Sequence, residues 1–279
     1  MIMKNLKTYV FGSFLALSTM LVSCNKDEDI AVDTELLAAN AQIDFGNELD
    51  FNAGVDVANE NSSYSDRNGT NFQSIYATCA DVSVDNPNIG EFPKTFTVDF
   101  GTGCLHNGIL RSGIITITFS NYFIEYGSTM TITRSNNYYV NNRKLEGTVV
   151  YENTTTNTAI PRWNRTVTNG KLTTLTGVEY TFYGSRTVQQ TEGVGTLTLG
   201  DNTYEVLSGN HTVTKPNGSI LTVTVVETLI KKYSCNYISQ GQLNLQGSYL
   251  DGILDYGDNT CDNQATYTHS DGNVYNVSL

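Results

Sequence analysis

The stretch Ile115-Thr116-Ile117-Thr118-Phe119-Ser120 decides the fold class of this chain. Apolar and hydroxyl side chains alternate along it, as side chains of a β-strand alternate between the two faces of a sheet. The same alternation recurs at residues 96–100, 129–133 and 221–225. A period of two with threonine on one face is typical of an antiparallel sheet with one buried and one wet face.

Short turn sequences separate these runs. Asn-Gly and Asp-Gly pairs, which favour tight hairpins, occur at 107–108, 169–170, 217–218 and 271–272. We therefore predict an all-β fold, an antiparallel up-and-down meander with a short N-terminal helix. The pattern leaves open whether the meander is a long twisted sheet, a sandwich or a partial barrel. The 24 glycines predict the bends and bulges that a strongly curved sheet needs.

The helix is predicted at residues 34–59, where apolar residues recur at spacings of three to six. Asp33 or Thr34 is the expected N-cap. Gly46 and Gly54 each disfavour a helix interior, so we expect an interrupted amphipathic helix with one face on the sheet. The Asn/Ser/Gly-rich residues 60–71 are expected to form a loop, and residues 60–279 a single β-rich domain.

The five cysteines include four, Cys79, Cys104, Cys235 and Cys261, that allow three disulfide pairings in an exported chain. An internal repeat favours one of these three pairings. In residues 76–120 and again in residues 233–279, a Tyr precedes a Cys, an Asp-aromatic-Gly triplet follows, and a second Cys comes shortly afterwards. Two copies of one pattern should close in the same way, which predicts the pairs Cys79–Cys104 and Cys235–Cys261. A zinc site is disfavoured because no Cys-x-x-Cys pair is present.

The N-terminal residues 1–23 have the layout of a secretory signal peptide. Lys4 and Lys7 precede an apolar run, Tyr9–Val22, that is short for a membrane span. The following Leu21-Val22-Ser23-Cys24 resembles the lipobox of bacterial lipoproteins, which implies that Cys24 carries acyl chains and that the partner of the chain is a membrane. Residues 24–33 are expected to be an acidic tether.

Two further resemblances concern the place of the protein in the cell. The run Lys26–Asp29 resembles the signal that exports lipoproteins of the Bacteroidota to the outer face of the outer membrane. Residues 254–263 (Leu-Asp-Tyr-Gly-Asp-Asn-Thr-Cys-Asp-Asn) and 97–104 are similar to segments of a family of uncharacterised Bacteroidota lipoproteins. That family has no assigned activity, so the resemblance implies an outer-membrane, cell-surface location and a fold, but no catalytic residue.

The charge of the chain argues against nucleic acid as a partner. The formal net charge is −12, and without residues 1–23 the 14 basic residues face 28 acidic ones, which gives −14. The mature chain contains no Gly-x-Ser-x-Gly elbow, no His-Glu-x-x-His and no Gly-rich phosphate loop. His106, His211 and His269 lie beside turn residues and are expected to be exposed. A pair of carboxylates for glycoside cleavage remains open, because sequence does not place it in a cleft.

The acidic turn near the C-terminus is the candidate metal site. Asp255, Asp258 and Asp262 offer carboxylate oxygens of the kind that calcium prefers. A disulfide-anchored turn in which Asp and Asn cap their own backbone explains the same composition. We otherwise expect no cofactor.

Aromatic residues are the candidate ligand contacts. Trp163 is the only tryptophan and stands between Arg162 and Arg165, and Tyr138 and Tyr139 are adjacent. These rings could stack on the sugars of a glycan, or Trp163 could anchor a loop.

Three functional hypotheses follow. The first is a membrane-anchored, surface-exposed lipoprotein with a non-enzymatic binding or structural role. The second is a carrier that holds a lipid or another hydrophobic ligand in a curved sheet. The third is a glycan-binding or glycan-cleaving surface protein. A closed, apolar cavity of several hundred Å³ would favour the second, and a cleft with two facing carboxylates would favour enzymatic cleavage. A solid core with a flat, Tyr-lined face would favour the first.

Overall fold

The computed structural model describes residues 32–63, 79–88, 90–196 and 198–279. The predicted signal peptide, Cys24, the tether as far as residue 31 and residues 64–71 of the predicted loop lie outside the described residues. The described part contains one α-helix, α1 (Thr34–Ser63), and a short 3-10 turn at Leu199–Asp201. The strands are β1 (Asp81–Val84), β2 (Lys94–Asp99), β3 (Cys104–His106), β4 (Ile109–Ser112), β5 (Ile114–Phe119), β6 (Thr129–Arg134), β7 (Tyr139–Val140), β8 (Arg143–Asn153), β9 (Arg162–Thr173), β10 (Glu179–Glu192), β11 (Thr203–Thr214), β12 (Ile220–Lys232), β13 (Gln240–Gly247), β14 (Asp251–Asp258), β15 (Gln264–His269) and β16 (Val274–Ser278).

These strands form one antiparallel sheet. The order is β1-β2-β5-β6-β8-β9-β10-β11-β12-β13-β14-β15-β16, while β3, β4 and β7 form a side branch that pairs with β8. From β8 onward each strand pairs with the next in the chain, so the predicted up-and-down meander is confirmed. Of the three architectures that the sequence left open, the structure is one long sheet, with β1 and β16 at its two ends.

The alternation that predicted the sheet is present in the burial of the strands. In β5, Ile115, Ile117 and Phe119 are buried and the residues between them are half-buried. Ile115, Ile117 and Phe119 therefore share the buried face of the sheet.

The buried face of the sheet surrounds α1. Gly46 of the helix faces Leu145 on β8, Gly54 faces Met130 on β6, and Phe51 packs on Tyr204 on β11 with ring centroids 4.9 Å apart. Nearly every helical residue from Leu36 to Val57 is buried.

The helix differs from the prediction in three respects. It continues to Ser63, it is not interrupted at either glycine, and it is not amphipathic, because sheet covers it on several sides. Gly46 and Gly54 disfavour a helix by their own conformational freedom, but they have no side chain. Leu145 and Met130 can therefore approach the helix axis at these positions. Helix and sheet are one unit, Val32–Leu279, so the helix is not a separate element beside a β-domain.

Glycine bulges bend the sheet round the helix, as the glycine content predicted. The register between β8 and β9 shifts at Gly147, whose φ is +107° and whose Cβ, if present, would lie 2.7 Å from the Cα of Gly170. Such bulges increase the local twist of a strand and bend it.

The helix runs between two groups of strand connections. At its N-terminus the Asp33 side chain accepts a hydrogen bond from the Leu36 amide (2.9 Å), so Asp33 is the N-cap, and it forms an ion pair with Lys215 at the β11–β12 turn. Ala58, near the C-terminus, lies roughly 36 Å further along the axis, given a rise of 1.5 Å per residue. In the described part of the chain, no helix has the length and hydropathy needed to cross a bilayer.

Both predicted disulfides are present. Cys79 pairs with Cys104, and Cys235 pairs with Cys261. The repeat that predicted them is also a repeat in geometry. In each copy the Asp of the Asp-aromatic-Gly triplet accepts a hydrogen bond from the Gly amide at 2.8 Å, at Asp99 and at Asp255.

Candidate functional site

A pocket of about 610 Å³ lies where α1 approaches its C-terminus. We call it the end pocket. The helix contributes Val55, Ala58 and Asn59, and the β5–β6, β8–β9 and β10–β11 connections supply most of the remaining wall. These three connections are brought together because the sheet curls round the helix, although they are far apart in sequence. Its lining includes Phe119, Asn121, Tyr122, Phe123, Ile124, Glu125, Tyr126, Thr155, Thr158, Pro161, Trp163, Gln190, Gly193, Val194, Gly195, Thr196, Leu199, Asn202 and Tyr204.

An aromatic stack forms one wall of the end pocket. Phe123 and Trp163 are stacked, with ring centroids 4.7 Å apart and ring planes at 12°. The Phe123 carbonyl accepts hydrogen bonds from Trp163 Nε1 (3.2 Å), Asn153 Nδ2 (2.9 Å) and Ser128 Oγ (3.3 Å). Three donors on one carbonyl hold the β5–β6 connection in place, which makes this wall rigid before any ligand arrives.

The residues that follow Phe123 leave the core and form an exposed apolar rim. Ile124 is 68% exposed and Tyr126 is 75% exposed, and both line the end pocket. Exposed apolar side chains beside an apolar pocket are typical of a ligand-binding site.

Most polar side chains in the end pocket already have partners. Asn121 accepts from the Tyr122 amide (2.8 Å), Gln190 donates to the Glu192 carbonyl (3.0 Å), and Asn202 donates to Tyr204 Oη (2.9 Å). Thr155 and Thr196 likewise bond to nearby backbone. The pocket therefore offers a ligand mainly apolar surface.

A set of buried ion pairs lies in the interior between the helix and the sheet. Asp50 of α1 accepts hydrogen bonds from Arg111 Nη2 (2.6 Å), Arg134 Nε (2.7 Å) and Tyr138 Oη (2.5 Å). Each of these side chains is buried. The desolvation of Asp50 is thus compensated by two guanidinium groups and a hydroxyl group.

Two more arginines pair with the same helix. Arg165 binds Glu48 at 2.8 Å and Arg186 binds Asp44 at 2.9 Å. Burial acts to raise the pKa of Asp44, but the positive charges of Arg186 and Arg165 outweigh it, so the pKa lies below its usual value. The cavities that adjoin Asp44 hold only about 10 Å³ each, roughly the space of one water molecule, so no substrate reaches these carboxylates. We interpret the ion pairs as the polar core of the fold.

His211 belongs to this interior. Its Nδ1 lies 2.8 Å from Arg186 Nη2 and its Nε2 lies 2.7 Å from Asn40 Oδ1. Because the guanidinium can only donate and the amide oxygen can only accept, the imidazole is neutral and carries its proton on Nε2. Burial and the charge of Arg186 lower the pKa of His211 to about 3. The expectation of exposed histidines is wrong for His211 and for His269, both of which are buried.

The predicted sugar-stacking residues do not form an exposed platform. Trp163 is 1% exposed and anchors the β5–β6 connection through its indole N–H, which agrees with the alternative of a loop anchor. Tyr138 is buried against Asp50, and Tyr139 is half-buried on β7. Trp163 and Tyr138 are therefore not exposed for stacking, because the interior of the curled sheet takes up the large aromatic rings that a flat sheet would expose. A glycan ligand stays a prediction.

The acidic turn uses its carboxylates locally. Asp255 accepts from the Gly257 amide and from Gln242 Nε2 (2.7 Å), Asp258 accepts from the Thr260 hydroxyl (2.7 Å), and Asp262 accepts from the Gln264 amide (3.0 Å). Among the described residues, no group of three His, Cys, Asp or Glu side chains could hold a metal ion. Calcium at this turn stays a prediction.

The sequence interpretation did not single out the residues of the end pocket. One signal was available: Tyr122-Phe123-Ile124 and Tyr126 form an apolar cluster in a segment that two predicted strands flank. A connection that should be polar but is apolar needs something to cover it. The helix carboxylates gave no such signal, since acidic residues on a helix ordinarily face water.

Comparison with models of protein families, with curated proteins and with solved structures finds no match to this chain. The geometry of the chain itself is thus the basis for any functional conclusion.

Proposed function

We propose that this protein is a lipid-anchored, non-enzymatic binding protein that carries a hydrophobic ligand in the end pocket. The observation that carries the proposal is the pocket itself. Its volume of about 610 Å³ falls within the range of small-molecule sites, roughly 300–1,000 Å³. Its wall is mainly aromatic and aliphatic, and in the described lining Glu125 is the only charged side chain.

An enzymatic role has less support. Cleavage of a glycoside needs two carboxyl groups across a cleft, and the described residues of the end pocket offer one. Three buried carboxylates of α1, those of Asp44, Glu48 and Asp50, are each paired with an arginine. A binding role needs neither of these groups.

The sole tryptophan supplies the binding assay. Trp163 lines the end pocket, so its fluorescence should change when an apolar molecule enters. We expect the mature protein to bind a neutral dye such as Nile red at micromolar concentration or below, with a change in both dye and Trp163 emission. A non-fluorescent apolar molecule that competes for the pocket should displace the dye and reverse the change in its emission.

A matched pair of variants locates the site. Ala58 lines the end pocket, and Ala38 is exposed near the opposite end of the same helix. Ala58→Phe should fill part of the pocket and weaken binding by about tenfold, since one large apolar side chain displaces a comparable part of the ligand. Ala38→Phe should leave the affinity unchanged. Equal affinities of both variants and the unmodified protein would contradict the proposed site.

The membrane anchor and the outer-membrane, cell-surface location are supported by the signal peptide, the lipobox and the acidic tether of the sequence. Two disulfides agree with an exported protein, because disulfides persist in oxidising compartments. Labelled fatty acid should enter the protein, and Cys24→Ala should abolish the labelling. Protease added to intact cells should release the domain unless Lys26–Asp29 is scrambled. A Cys24→Ala variant that keeps its label would contradict the anchor.

A further inference from the structure

The charge of the end pocket restricts its ligand further. None of the described residues that line it is Lys, Arg or His, and the one charged group, Glu125, is negative and lies on the exposed β5–β6 connection. The formal charge of the whole chain is −12. An anionic headgroup would therefore meet no counter-charge among the described residues of the lining.

The polar groups of the pocket are neutral, and several of them already bond to protein atoms. The amide of Asn202, the amide of Gln190 and the hydroxyl of Thr196 are each bonded to protein atoms. Each amide NH₂ group has a second N–H that can donate to a carboxylate, but a neutral amide brings no positive charge. Burial of an ionised group without an opposite charge costs several kcal/mol, so we expect a fatty acid whose head is buried in the pocket to bind in its protonated form.

We propose, on the basis of the proposed function, that the ligand of the end pocket is an uncharged apolar molecule, such as a long-chain alcohol or another neutral lipid, and that the pocket rejects lipids with an ionised carboxylate. The aromatic stack of Phe123 and Trp163 supplies a flat apolar wall for such a molecule. The rim at Ile124 and Tyr126 covers its outer end.

Three probes with the same alkyl chain and different heads test the proposal on the mature protein: dodecan-1-ol, dodecanoate and dodecyltrimethylammonium. Affinity is measured by displacement of Nile red and by Trp163 emission. We expect the alcohol to bind most tightly at pH about 8 and dodecanoate to bind at least about tenfold more weakly. When the pH is lowered to about 6.5, the affinity for dodecanoate should rise as its protonated fraction grows, while the affinity for the alcohol stays constant.

A charge variant gives the converse test. Val194 lines the end pocket and is half-buried, so Val194→Lys places a cation at the wall. We expect the affinity for dodecanoate to increase by roughly tenfold and that for the alcohol to change little. Leu175→Lys, an exposed position near the N-terminus of the helix, is the matched control and should change neither. If Val194→Lys does not fold, the pH dependence of the unmodified protein still decides the question.

The outcomes separate the two proposals. If dodecanoate binds at pH about 8 as tightly as the alcohol, or if the ammonium probe binds most tightly, the ligand class is wrong while the pocket stands. If neither Nile red nor any of the three probes binds, or if Ala58→Phe binds them as tightly as the unmodified protein, the proposed function fails and this inference fails with it.

Discussion

At the scale of single residues, the interior of the molecule depends on groups whose charge state is held by their neighbours. His211 is buried between Arg186 and Asn40, and it is neutral because the arginine occupies its second nitrogen as a donor. Asp50 lies between Arg111 and Arg134 and pairs with both. Each arrangement ties a residue of the sheet to a residue of the helix, so a change of charge at one of them affects the whole interior.

The pH dependence of stability should reflect His211. Its pKa in the folded protein is about 3, below the ordinary value of 6.5, so the unfolded chain binds more protons between these values. Stability that is present above pH 6.5 is therefore lost as the pH falls from about 6.5 towards 3. Asp44 acts in a separate window, below its ordinary pKa of 3.8, because its folded pKa is lowered. We expect the free energy of unfolding, measured with urea, to fall steadily between pH 6.5 and 4.

The variant His211→Gln isolates this effect. Glutamine keeps a donor and an acceptor but does not titrate, so the slope between pH 6.5 and 4 should become smaller, at a cost of about 1–2 kcal/mol at pH 7.5. His106→Gln, near the β3–β4 turn, controls for the loss of a histidine. An unchanged slope in His211→Gln would show that other groups cause the acid sensitivity.

Removal of the charge at Asp50 should be among the most destabilising single changes. Asp50→Asn keeps the shape of the side chain but leaves Arg111 and Arg134 buried without a carboxylate, and such a loss typically costs 3–5 kcal/mol, so about that decrease is expected. Lys171→Met removes a partly exposed pair with Glu146 and Glu179 and should change stability little. Chemical denaturation of both variants measures the difference, and similar losses would contradict our interpretation of the interior.

At the scale of elements, the contact between α1 and the sheet explains the two helical glycines. A Cβ at Gly54 would lie 2.4 Å from Met130 Sδ, and a Cβ at Gly46 would lie 2.5 Å from Leu145 Cδ2. The helix thus gives up local propensity at both positions so that the strands can approach it closely. Packing against the strands stabilises the helix at these two positions, so it is continuous where local preference indicated a break.

Gly54→Ala should therefore reverse the usual effect of this substitution. In an exposed helix alanine is favoured over glycine by about 1 kcal/mol, whereas here we expect a loss of about 1–2 kcal/mol from overpacking against Met130. The double variant Gly54→Ala/Met130→Ala should lose less than the sum of the two single variants, because the space that one removes is the space that the other fills. Strict additivity in thermal and urea unfolding would argue against the contact.

At the scale of the whole molecule, long-range contacts hold the curled sheet. The β12–β13 connection meets the β3–β4 turn through a hydrogen bond from Asn236 Nδ2 to the Asn107 carbonyl (3.4 Å), although these segments are far apart in the order of the sheet. Asn236 follows Cys235 directly, so the second disulfide lies beside this contact. The end pocket depends on the same curl, because its walls come from three separate connections.

Removal of the second disulfide should weaken the molecule as a whole. Cys235 and Cys261 are separated by 26 residues in sequence, and a loop of this size contributes roughly 3–4 kcal/mol in the chain-entropy model. We expect Cys235→Ser/Cys261→Ser to lower the unfolding free energy by about this amount under non-reducing conditions. The unmodified protein under reducing conditions loses both disulfides and should therefore show a larger loss than the variant. An unchanged unfolding free energy in the double variant would contradict the role of the second disulfide.

The sequence by itself determined the class of fold, the positions of four strands and the disulfide pairing. These features follow from local chemistry: the alternation of Ile115 to Phe119, the Asn-Gly turns, and a cysteine pattern that occurs twice. Each signal lies within a few tens of residues and does not depend on what the segment later packs against.

Only the tertiary structure decided that the helix is buried, that its carboxylates are paired and that a pocket exists. Asp50 and Arg111 are 61 residues apart in sequence, so nothing local shows that they meet. An acidic helix is stable inside a sheet only when distant arginines compensate the cost of desolvation. The end pocket likewise exists only because bulges bring three connections to one place, and this curvature is the sum of many small departures from regular strand geometry.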